Sequence, residues 1–529
     1  MFRNMRILLM CKETYSYPLY FAAKKLQNDN HLAAFFFNSV ESVYNPCYLN
    51  RTTYYKFKEE EHIRIYDTRE IAREFTENLD DPKVNTGFLA QVEKQFTHFK
   101  PLGLQILSSQ SMTRHYHNRN YLGYCNQKQQ EYWLGLNYQR ALDVCGDFKP
   151  DVVLDCDDAE MMRTIMIEIC YSKKIPYITI EHPRYGFFKY PTLQLGYGID
   201  PYFSQLYKKY FDGSGEDIAE ELESVRKIRN ASTIMAKEFI GTITAKYLRT
   251  KLGAIAKSFV GKIMYFVDQE RAGDEFGIKN KNELLFPRTL EYLKFYARYE
   301  WLNWRLLGKN SLFHEPLAGE RYVYMPLHLI PESTTFVKSP FYVNELTVVE
   351  AISKALPIGW KLYVKEHQAM LGERSLDFYR RVNQFPNARM VTVNFYPDPK
   401  PWIQNAEGVI TLAGTSAFEA ALLGKRSIVF SDVPFSLIDG ITRAKSIEDL
   451  PGLIREFAPV ENMKSCAAYM AAVKEAGCEV RLKYLMDQGE KIICGQTIDH
   501  EFEQEVGNLM NLFEKGYSVF KQQMGVVET

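Results

Sequence analysis

Two short segments in the second half of the chain carry side chains that could bind a phosphate. Lys365 and His367 follow the apolar run 361–364, and a cation beside an imidazole can neutralise an anion and protonate a leaving group. The other segment, 412–416, is small and hydroxyl-rich, which suits a turn where backbone N–H groups meet a phosphate before a helix, although such turns are also common for structural reasons alone. Glu419, one turn later, could accept from ribose hydroxyls. We predict one nucleotide-binding site made of Lys365, His367, Thr411, Gly414, Thr415, Ser416 and Glu419.

Candidate general bases lie in the first half of the chain. Asp157 belongs to an acidic group at the end of a predicted strand at 151–155, and Glu181 lies at the end of the next predicted strand. A sugar acceptor needs a base within hydrogen-bond reach of its hydroxyl, and a carboxylate on the acceptor side of a cleft can serve. Glu181 is the first candidate and Asp157 the second. Alternatively, the acidic group caps the helix that begins near Ala159.

The elements that would position these residues follow an α/β pattern in both halves of the chain. A strand from Arg6, a helix at 17–28 and a strand at 32–37 open the chain, and the pattern returns at 151–180. From Arg321 to Phe430, strands again alternate with helices. Such sheets bind ligands at the carboxyl ends of their strands. The sequence therefore predicts an α/β fold with two facing Rossmann-like domains and a helical insertion between them.

The predicted boundaries are 1–205 for an acceptor-side domain, 206–315 for the insertion, 316–500 for a nucleotide-binding domain and 501–529 for a helix that crosses back. Basic and aromatic residues concentrate at 226–305 within the insertion. This composition suits a helix on an anionic membrane surface, but it also suits a solvated basic face or a nucleic-acid contact. We expect no nucleic-acid partner and keep peripheral membrane contact through 226–305 as a hypothesis.

Composition limits the class of protein. The chain has 529 residues, 65 basic and 65 acidic, and 46% are hydrophobic, which is typical of a globular protein with more than one domain. Its nine cysteines are scattered, which favours a reducing cytoplasm and predicts neither disulfides nor a metal site. Lys12 and Glu13 interrupt the first apolar run too early for a signal peptide, and no stretch reaches the ~18–20 apolar residues that span a bilayer. We predict a cytoplasmic protein that works either in solution or at the inner face of the cytoplasmic membrane.

Three ordered motifs between Pro326 and Lys425 resemble those of the capsule and surface-polysaccharide biosynthesis glycosyltransferases. They are Pro-Leu-His-Leu-Ile-Pro-Glu-Ser-Thr from Pro326, Val-Lys-Glu-His from Val364, and Gly-Thr-Ser-Ala-Phe-Glu-Ala-Ala-Leu-Leu-Gly-Lys from Gly414. The resemblance implies a GT-B fold, a nucleotide held mainly by the C-terminal domain, and metal-independent chemistry. Several relatives are retaining transferases that use CMP-activated 3-deoxy-octulosonic acid (Kdo), and others are thought to use related nonulosonic acids.

The resemblance also implies roles for two residues of the first motif. His328 occupies the place of a Gln common in the family, and Glu332, four residues later, occupies the place of an acidic residue. Glu332 thereby becomes a candidate nucleophile for a double displacement. The chain departs from the family where His367 is followed by Gln368 instead of proline.

Three hypotheses follow for the function. The first is transfer of a sugar, best matched by Kdo or a nonulosonic acid from a CMP-linked donor, to an oligosaccharide or lipid-linked glycan, with no further cofactor. The second is a nucleotide-sugar 2-epimerase on the same fold. The third is a non-catalytic glycan-assembly protein.

Overall fold

The computed structural model describes residues 2–37, 50–109, 125–157, 159–193, 198–234, 297, 301–302, 304–306, 312–330, 332–371, 373–393 and 396–523. Within these residues the chain forms two mostly parallel β-sheets, each covered by helices. The predicted α/β class with two Rossmann-like domains, the GT-B-like arrangement, is confirmed.

The first sheet contains seven strands among the described residues. Its strands are β1 (Arg6–Cys11), β2 (His31–Phe36), β3 (Ile63–Asp67), β4 (Val152–Leu154), β5 (Tyr177–Glu181), β6 (Phe188–Thr192) and β13 (Cys478–Glu479), in the spatial order β13-β6-β5-β4-β1-β2-β3. The accompanying helices are α1 (Ser16–Leu26), α2 (Arg51–Lys58), α3 (Arg69–Glu77), α4 (Thr86–Phe96), α5 (Leu102–Leu107), α6 (Gln127–Phe148) and α7 (Met161–Ser172).

Apolar side chains cover both faces of the first sheet. In β1, Leu8 and Met10 join a core on one face, while Ile7 and Leu9 join a second core on the other. A parallel strand that is buried on both faces needs a continuous apolar run, which β1 provides. The first domain is therefore a three-layer structure, and polar residues at its strand ends are available to bind a ligand.

The second sheet has six strands among the described residues. They are β7 (Arg321–Pro326), β8 (Trp360–Lys365), β9 (Ala388–Val391), β10 (Gly408–Ile410), β11 (Ser427–Val429) and β12 (Ile441–Arg443), in the spatial order β12-β11-β10-β7-β8-β9. The accompanying helices are α10 (Ser333–Phe336), α11 (Glu345–Ala355), α12 (Leu376–Gln384), α13 (Lys400–Gln404), α14 (Ser416–Leu422) and α15 (Leu450–Arg455). All neighbouring strands in this sheet are parallel, so their carboxyl ends share one edge.

Three helices join the two domains: α8 (Pro201–Asp212), α9 (Ala219–Asn230) and α16 (Met463–Ala476). Their apolar side chains share one core with Tyr190 of β6 and Phe418 of α14. After α16 the chain crosses β6 at Gly477, where a Cβ would lie 1.8 Å from the carbonyl oxygen of Lys189, so this crossing requires glycine. Beyond it, β13 pairs with β6, and α17 (Leu482–Ile493) and α18 (His500–Gln523) pack on the first domain.

Some features of the fold differ from the sequence expectations or lie outside the described residues. The chain returns to the first sheet at Cys478, earlier than the predicted boundary at 500, and β6 runs antiparallel to β5. Most of 226–305 lies outside the described residues. In the part of the chain that is described, no helix is both long and apolar enough to cross a membrane.

Candidate functional site

The carboxyl ends of β7, β8 and β10 form one side of the candidate site. His328 follows β7, and its Nε2 lies 3.1 Å from Oγ1 of Thr411, which follows β10. Gly414 packs against this pair, because a Cβ there would lie 2.5 Å from Thr411 Oγ1 and 3.0 Å from His328 Nε2. The structure thus brings His328, Thr411 and Gly414 together. Glycine is required at position 414 because a Cβ there would lie too close to the other two side chains.

A buried arginine fixes this edge. Arg374 donates to Glu366 Oε2 at 2.9 Å, to Glu345 Oε2 at 2.5 Å and to the carbonyl of His328 at 2.8 Å. Glu345 Oε1 in turn lies 2.9 Å from both the backbone nitrogen and Nδ1 of His328. Burial raises the pKa of Glu345, but Arg374 and His328 outweigh it and hold the pKa below its usual value. Each charge in this network has a close partner, so the network positions His328 instead of awaiting a ligand.

Lys365 and Glu419 lie at the same edge but are not bonded to Arg374. Lys365 ends β8, is 9% exposed, and has no hydrogen bond or ion pair among the described residues. Burial lowers its pKa to about 8. Glu419, on α14, has its pKa raised to about 7 by burial and next by the charge of Asp398, while the Thr415 hydroxyl donates to it at 3.4 Å. An ammonium group beside a carboxyl group that is half protonated near neutral pH suits the binding of a phosphate.

Two other predicted binding residues lie near this edge. Ser416 is the first residue of α14 and is half-buried. His367 is exposed, and its Nδ1 accepts from the backbone N–H of Ala369 at 3.2 Å, so it begins a short turn after β8. The backbone N–H of His367 donates to Glu366 Oε1 at 2.7 Å, which ties this turn to the buried Arg374 network.

The segment after β7 runs from this edge to the first domain. It begins at His328 and reaches Lys338, whose Nζ lies 2.9 Å from Glu181 Oε1 at the end of β5. Glu332 lies between these two residues and is exposed, and its carbonyl accepts from the N–H groups of Thr335 and Phe336 at 3.1 and 2.9 Å. This connecting segment, 327–338, therefore links the edge of the second sheet to the first candidate base.

Glu181 is held as a carboxylate. Burial raises its pKa, but the charge of Lys338 and its hydrogen bond bring the pKa below the usual value. Oε1 accepts from both Lys338 Nζ and the N–H of His182, at 2.9 and 3.2 Å. Oε2 has no hydrogen-bond partner among the described residues, so one oxygen of an ionised carboxylate is left for a ligand.

Asp157 lies in a different environment, around the buried Arg163. The guanidinium donates to Asp157 Oδ2 at 2.7 Å, to both oxygens of Asp155 at 2.6 and 2.9 Å, and to the carbonyl of Ala159 at 2.8 Å. Glu160 caps α7 by accepting from the N–H of Met161 at 3.1 Å, while Asp158 lies outside the described residues. The acidic group is thus mainly occupied by an arginine, a possibility that the spacing did not reveal.

Several residues of the site were missed in the sequence. Glu345, Arg374, Lys338 and Asp398 come from separate loops and helices, and no spacing links them. In the described part of the chain, no group of three His, Cys, Asp or Glu side chains could hold a metal ion.

No protein-family model matches the chain, and no curated protein matches it. Among solved structures, it is similar to the KpsC β Kdo 2,7 transferase of Thermosulfurimonas dismutans at 9% identity and a TM-score of 0.32, over 67% of this chain and 89% of that one. It is also similar to the UDP-GlcNAc 2-epimerase of Methanocaldococcus jannaschii in complex with UDP-GlcNAc and UDP, at 12% identity and a TM-score of 0.27, over 88% and 98%. The wall teichoic acid polymerase TagF matches at 15% identity and a TM-score of 0.20, over 41% of this chain and 52% of that one. These scores are too low to assign an activity, so the function is argued from the residues of the site.

Proposed function

We propose that this protein transfers a sugar from a nucleotide donor to a glycan or lipid-linked acceptor during surface polysaccharide synthesis. The three motifs between Pro326 and Lys425 favour a CMP-linked donor carrying Kdo or a nonulosonic acid and a retaining outcome. The observation that carries the proposal is the connecting segment 327–338, bonded at one end to the edge that carries Lys365 and Glu419, and at the other to Glu181.

The donor would bind on the second-domain edge. Lys365 is buried and forms no hydrogen bond or ion pair with a described residue, so a phosphate oxygen would supply the direct partner that it lacks. The turn from Gly414 to Ser416 would bring backbone N–H groups to the same phosphate, and Glu419 would accept from the ribose. The Arg374 network needs no ligand charge and keeps His328 and Thr411 in place.

The acceptor would bind on the first-domain side, at Glu181. A general base must be ionised before it can take a proton, and Lys338 keeps Glu181 in that form. The unbonded Oε2 would accept the proton from the acceptor hydroxyl. Asp157, the second candidate, bonds to Arg163 at 2.7 Å and is less suited to the role.

Glu332 is the proposed nucleophile. Its carboxylate would bond to the anomeric carbon as the nucleotide phosphate leaves, and the acceptor oxygen would then displace it while Glu181 removes the proton. Two displacements retain the configuration of the sugar. The exposure of Glu332, midway along the connecting segment, is compatible with access to a bound donor.

Calorimetry with CMP, UDP and GDP tests the proposal first. We expect CMP to bind; binding of UDP alone would remove the CMP-sugar assignment, and binding of none would end the enzymatic proposal. In transfer assays with CMP-linked Kdo, Glu332→Gln and Glu181→Gln should each reduce turnover, by about 10²- to 10⁴-fold for the base, with nucleotide affinity unchanged within several-fold.

A matched control is available in Asp157→Asn, which neutralises a carboxylate of the first domain that is already paired with Arg163. Wild-type turnover of Glu332→Gln would remove that residue from the chemistry. Release of free 2-epimerised sugar without transfer would replace the proposal with an epimerase. Peripheral membrane contact through 226–305 stays a prediction, and flotation with anionic vesicles at low and high salt would test it.

A further inference from the structure

The turn that joins β5 to β6 and the strand after it carry two cations that form no ion pair with a carboxylate among the described residues. Arg184 lies in the turn and Lys189 at the start of β6. Burial lowers the pKa of His182, in the same turn, to about 4, so His182 adds no positive charge near neutral pH. Neither Arg184 nor Lys189 forms an ion pair with a carboxylate among the described residues. The nearest acidic residue in the sequence, Glu181, is already bonded to Lys338.

Arg184 is held in an unusual conformation by its neighbours. Its φ is +62°, in the left-handed region that disfavours a residue with a Cβ. The turn is fixed on both sides, because Tyr469 donates to the carbonyl of Pro183 at 3.2 Å and the Phe188 N–H donates to the carbonyl of Tyr185 at 3.1 Å. The guanidinium is exposed and makes no hydrogen bond to a described residue. The fold therefore keeps an arginine at a backbone position that glycine would occupy with less strain.

Lys189 is half-buried next to this arginine. Its ammonium group donates only to the carbonyls of Phe187 and Phe188, at 3.4 and 3.1 Å. Burial and then the charge of Arg184 lower the pKa of Lys189 to about 8. Two cations that repel one another and form no ion pair with a described carboxylate favour the approach of an anion.

The turn also faces the second domain. Tyr469, which bonds to Pro183, has its ring 5.4 Å from that of Phe418, the residue before Glu419. The charge of Arg184 is close enough to lower the pKa of Glu419, although burial raises that pKa more strongly. The turn that carries Arg184 is thus bonded to Tyr469 of α16, and Tyr469 in turn packs on α14, the helix that carries Glu419.

We propose that Arg184 and Lys189 form an oxyanion subsite, on the first-domain side of the cleft, for a phosphate or carboxylate group of the bound substrate. A planar guanidinium can hold either group through two parallel hydrogen bonds, and the ammonium group adds a point charge. The inference extends the proposed function by requiring an acidic substrate: the oxyanion comes either from the phosphate of the donor or from a carboxylate on a sugar.

Two probes distinguish these sources in calorimetry with the full chain. CMP carries the phosphate, and free Kdo carries only the carboxylate. We expect Arg184→Met and Lys189→Met each to lower the affinity for one of the two probes by at least about tenfold, because a charge-assisted hydrogen bond is lost. Loss of CMP affinity assigns the phosphate, and loss of Kdo affinity assigns the carboxylate. The matched control is Arg455→Met, which removes an exposed arginine on α15.

Stability gives a second measurement. Arg184→Gly should raise the thermal unfolding midpoint while weakening the same probe, because it relieves the left-handed backbone and removes the guanidinium. A lower midpoint would make Arg184 a structural residue and overturn the inference. Unchanged binding of both probes by Arg184→Met and Lys189→Met would also overturn it, while CMP binding by the wild type would leave the proposed function intact. Conversely, a wild type that binds Kdo in an Arg184-dependent way but no nucleotide would keep the subsite and end the proposed function.

Discussion

Each domain buries one arginine where its parallel strands end, but the two arginines have different consequences. In the first domain, Arg163 follows β4 and forms ion pairs with Asp155 and Asp157. In the second, Arg374 forms ion pairs with Glu345 and Glu366. Glu345 in turn holds His328 next to Thr411. Both guanidinium groups are buried, and each is bonded to two carboxylates.

The two networks differ in whether a charged residue beside them is left without a hydrogen bond or ion pair. Around Arg163, Asp155 and Asp157 are bonded to the arginine, and Glu160 caps α7. Around Arg374, the acids are equally occupied, but Lys365 next to Glu366 remains without a partner among the described residues. A buried charge that is satisfied indicates architecture, whereas one that is left unsatisfied indicates a ligand. The comparison therefore directs attention to Lys365, Glu419 and the free oxygen of Glu181.

The largest expected effects come from breaking the networks themselves. Arg163→Met leaves the buried Asp155 and the partly exposed Asp157 without their arginine, and Arg374→Met leaves the buried Glu345 and Glu366 without theirs. Each substitution should lower the free energy of unfolding by ~3–5 kcal/mol, measured by denaturant titration. At a temperature where both variants are folded, only Arg374→Met should also lose CMP binding, because only that arginine supports the His328 edge. Equal loss of CMP binding in both variants would contradict the distinction.

Removal of Lys365 should lower CMP affinity without lowering stability. Lys365→Met deletes a buried cation without a described partner, so stability should be unchanged or raised, while CMP affinity should fall by about ten- to a hundredfold because a charged hydrogen bond to phosphate is lost. Thermal unfolding and calorimetry measure the two quantities. Lys425→Met provides a matched control, since Lys425 donates to the carbonyl of Ala406 at the opposite end of α14. Marked destabilisation of Lys365→Met would mean that Lys365 is structural.

The sequence predicted most strands of both sheets, although not β3, β6, β12 or β13, because apolar runs and helical periodicity are local properties. It also predicted that Lys365, Thr411 and Gly414 lie at one edge, because the strands of a parallel sheet share a carboxyl edge. Their role in nucleotide binding stays a prediction. It did not predict which acids would be neutralised. Arg163 lies only six residues after Asp157, but Arg374 reaches Glu345 from 29 residues away, and Lys338 reaches Glu181 from 157 residues away. Those pairings depend on the packing of separate elements.

A smaller effect should appear in the pH dependence of binding. As pH rises through about 7, Glu419 loses its proton and becomes negative, and as pH rises through about 8, Lys365 loses its positive charge. Both changes oppose the binding of a phosphate, so CMP affinity should decline across this range. Asp398 and Arg184 act on the pKa of Glu419 in opposite directions. A bound anion raises both pKa values, so binding should take up protons. Calorimetry in buffers of different ionisation enthalpy measures that uptake, and Lys365→Met with Glu419→Gln should abolish it. Proton release on binding would contradict the assignment.

The smallest effect is expected for Asp157→Asn. Its carboxylate supplies one of the four hydrogen bonds that Arg163 donates in the described structure, and Asp155 stays in place to balance the guanidinium charge. The substitution should cost roughly 1 kcal/mol of stability and leave turnover within about twofold of the wild type. Glu181→Gln, by contrast, should lose turnover because its free Oε2 carries the proposed chemistry, and it should also lower stability because it removes the charge that pairs with Lys338. Parallel measurement of unfolding and transfer in the two variants separates them. A large loss of turnover in Asp157→Asn would show that an acid bonded to a buried arginine can still act on substrate, and the distinction between satisfied and unsatisfied charges would then fail as a guide to this site.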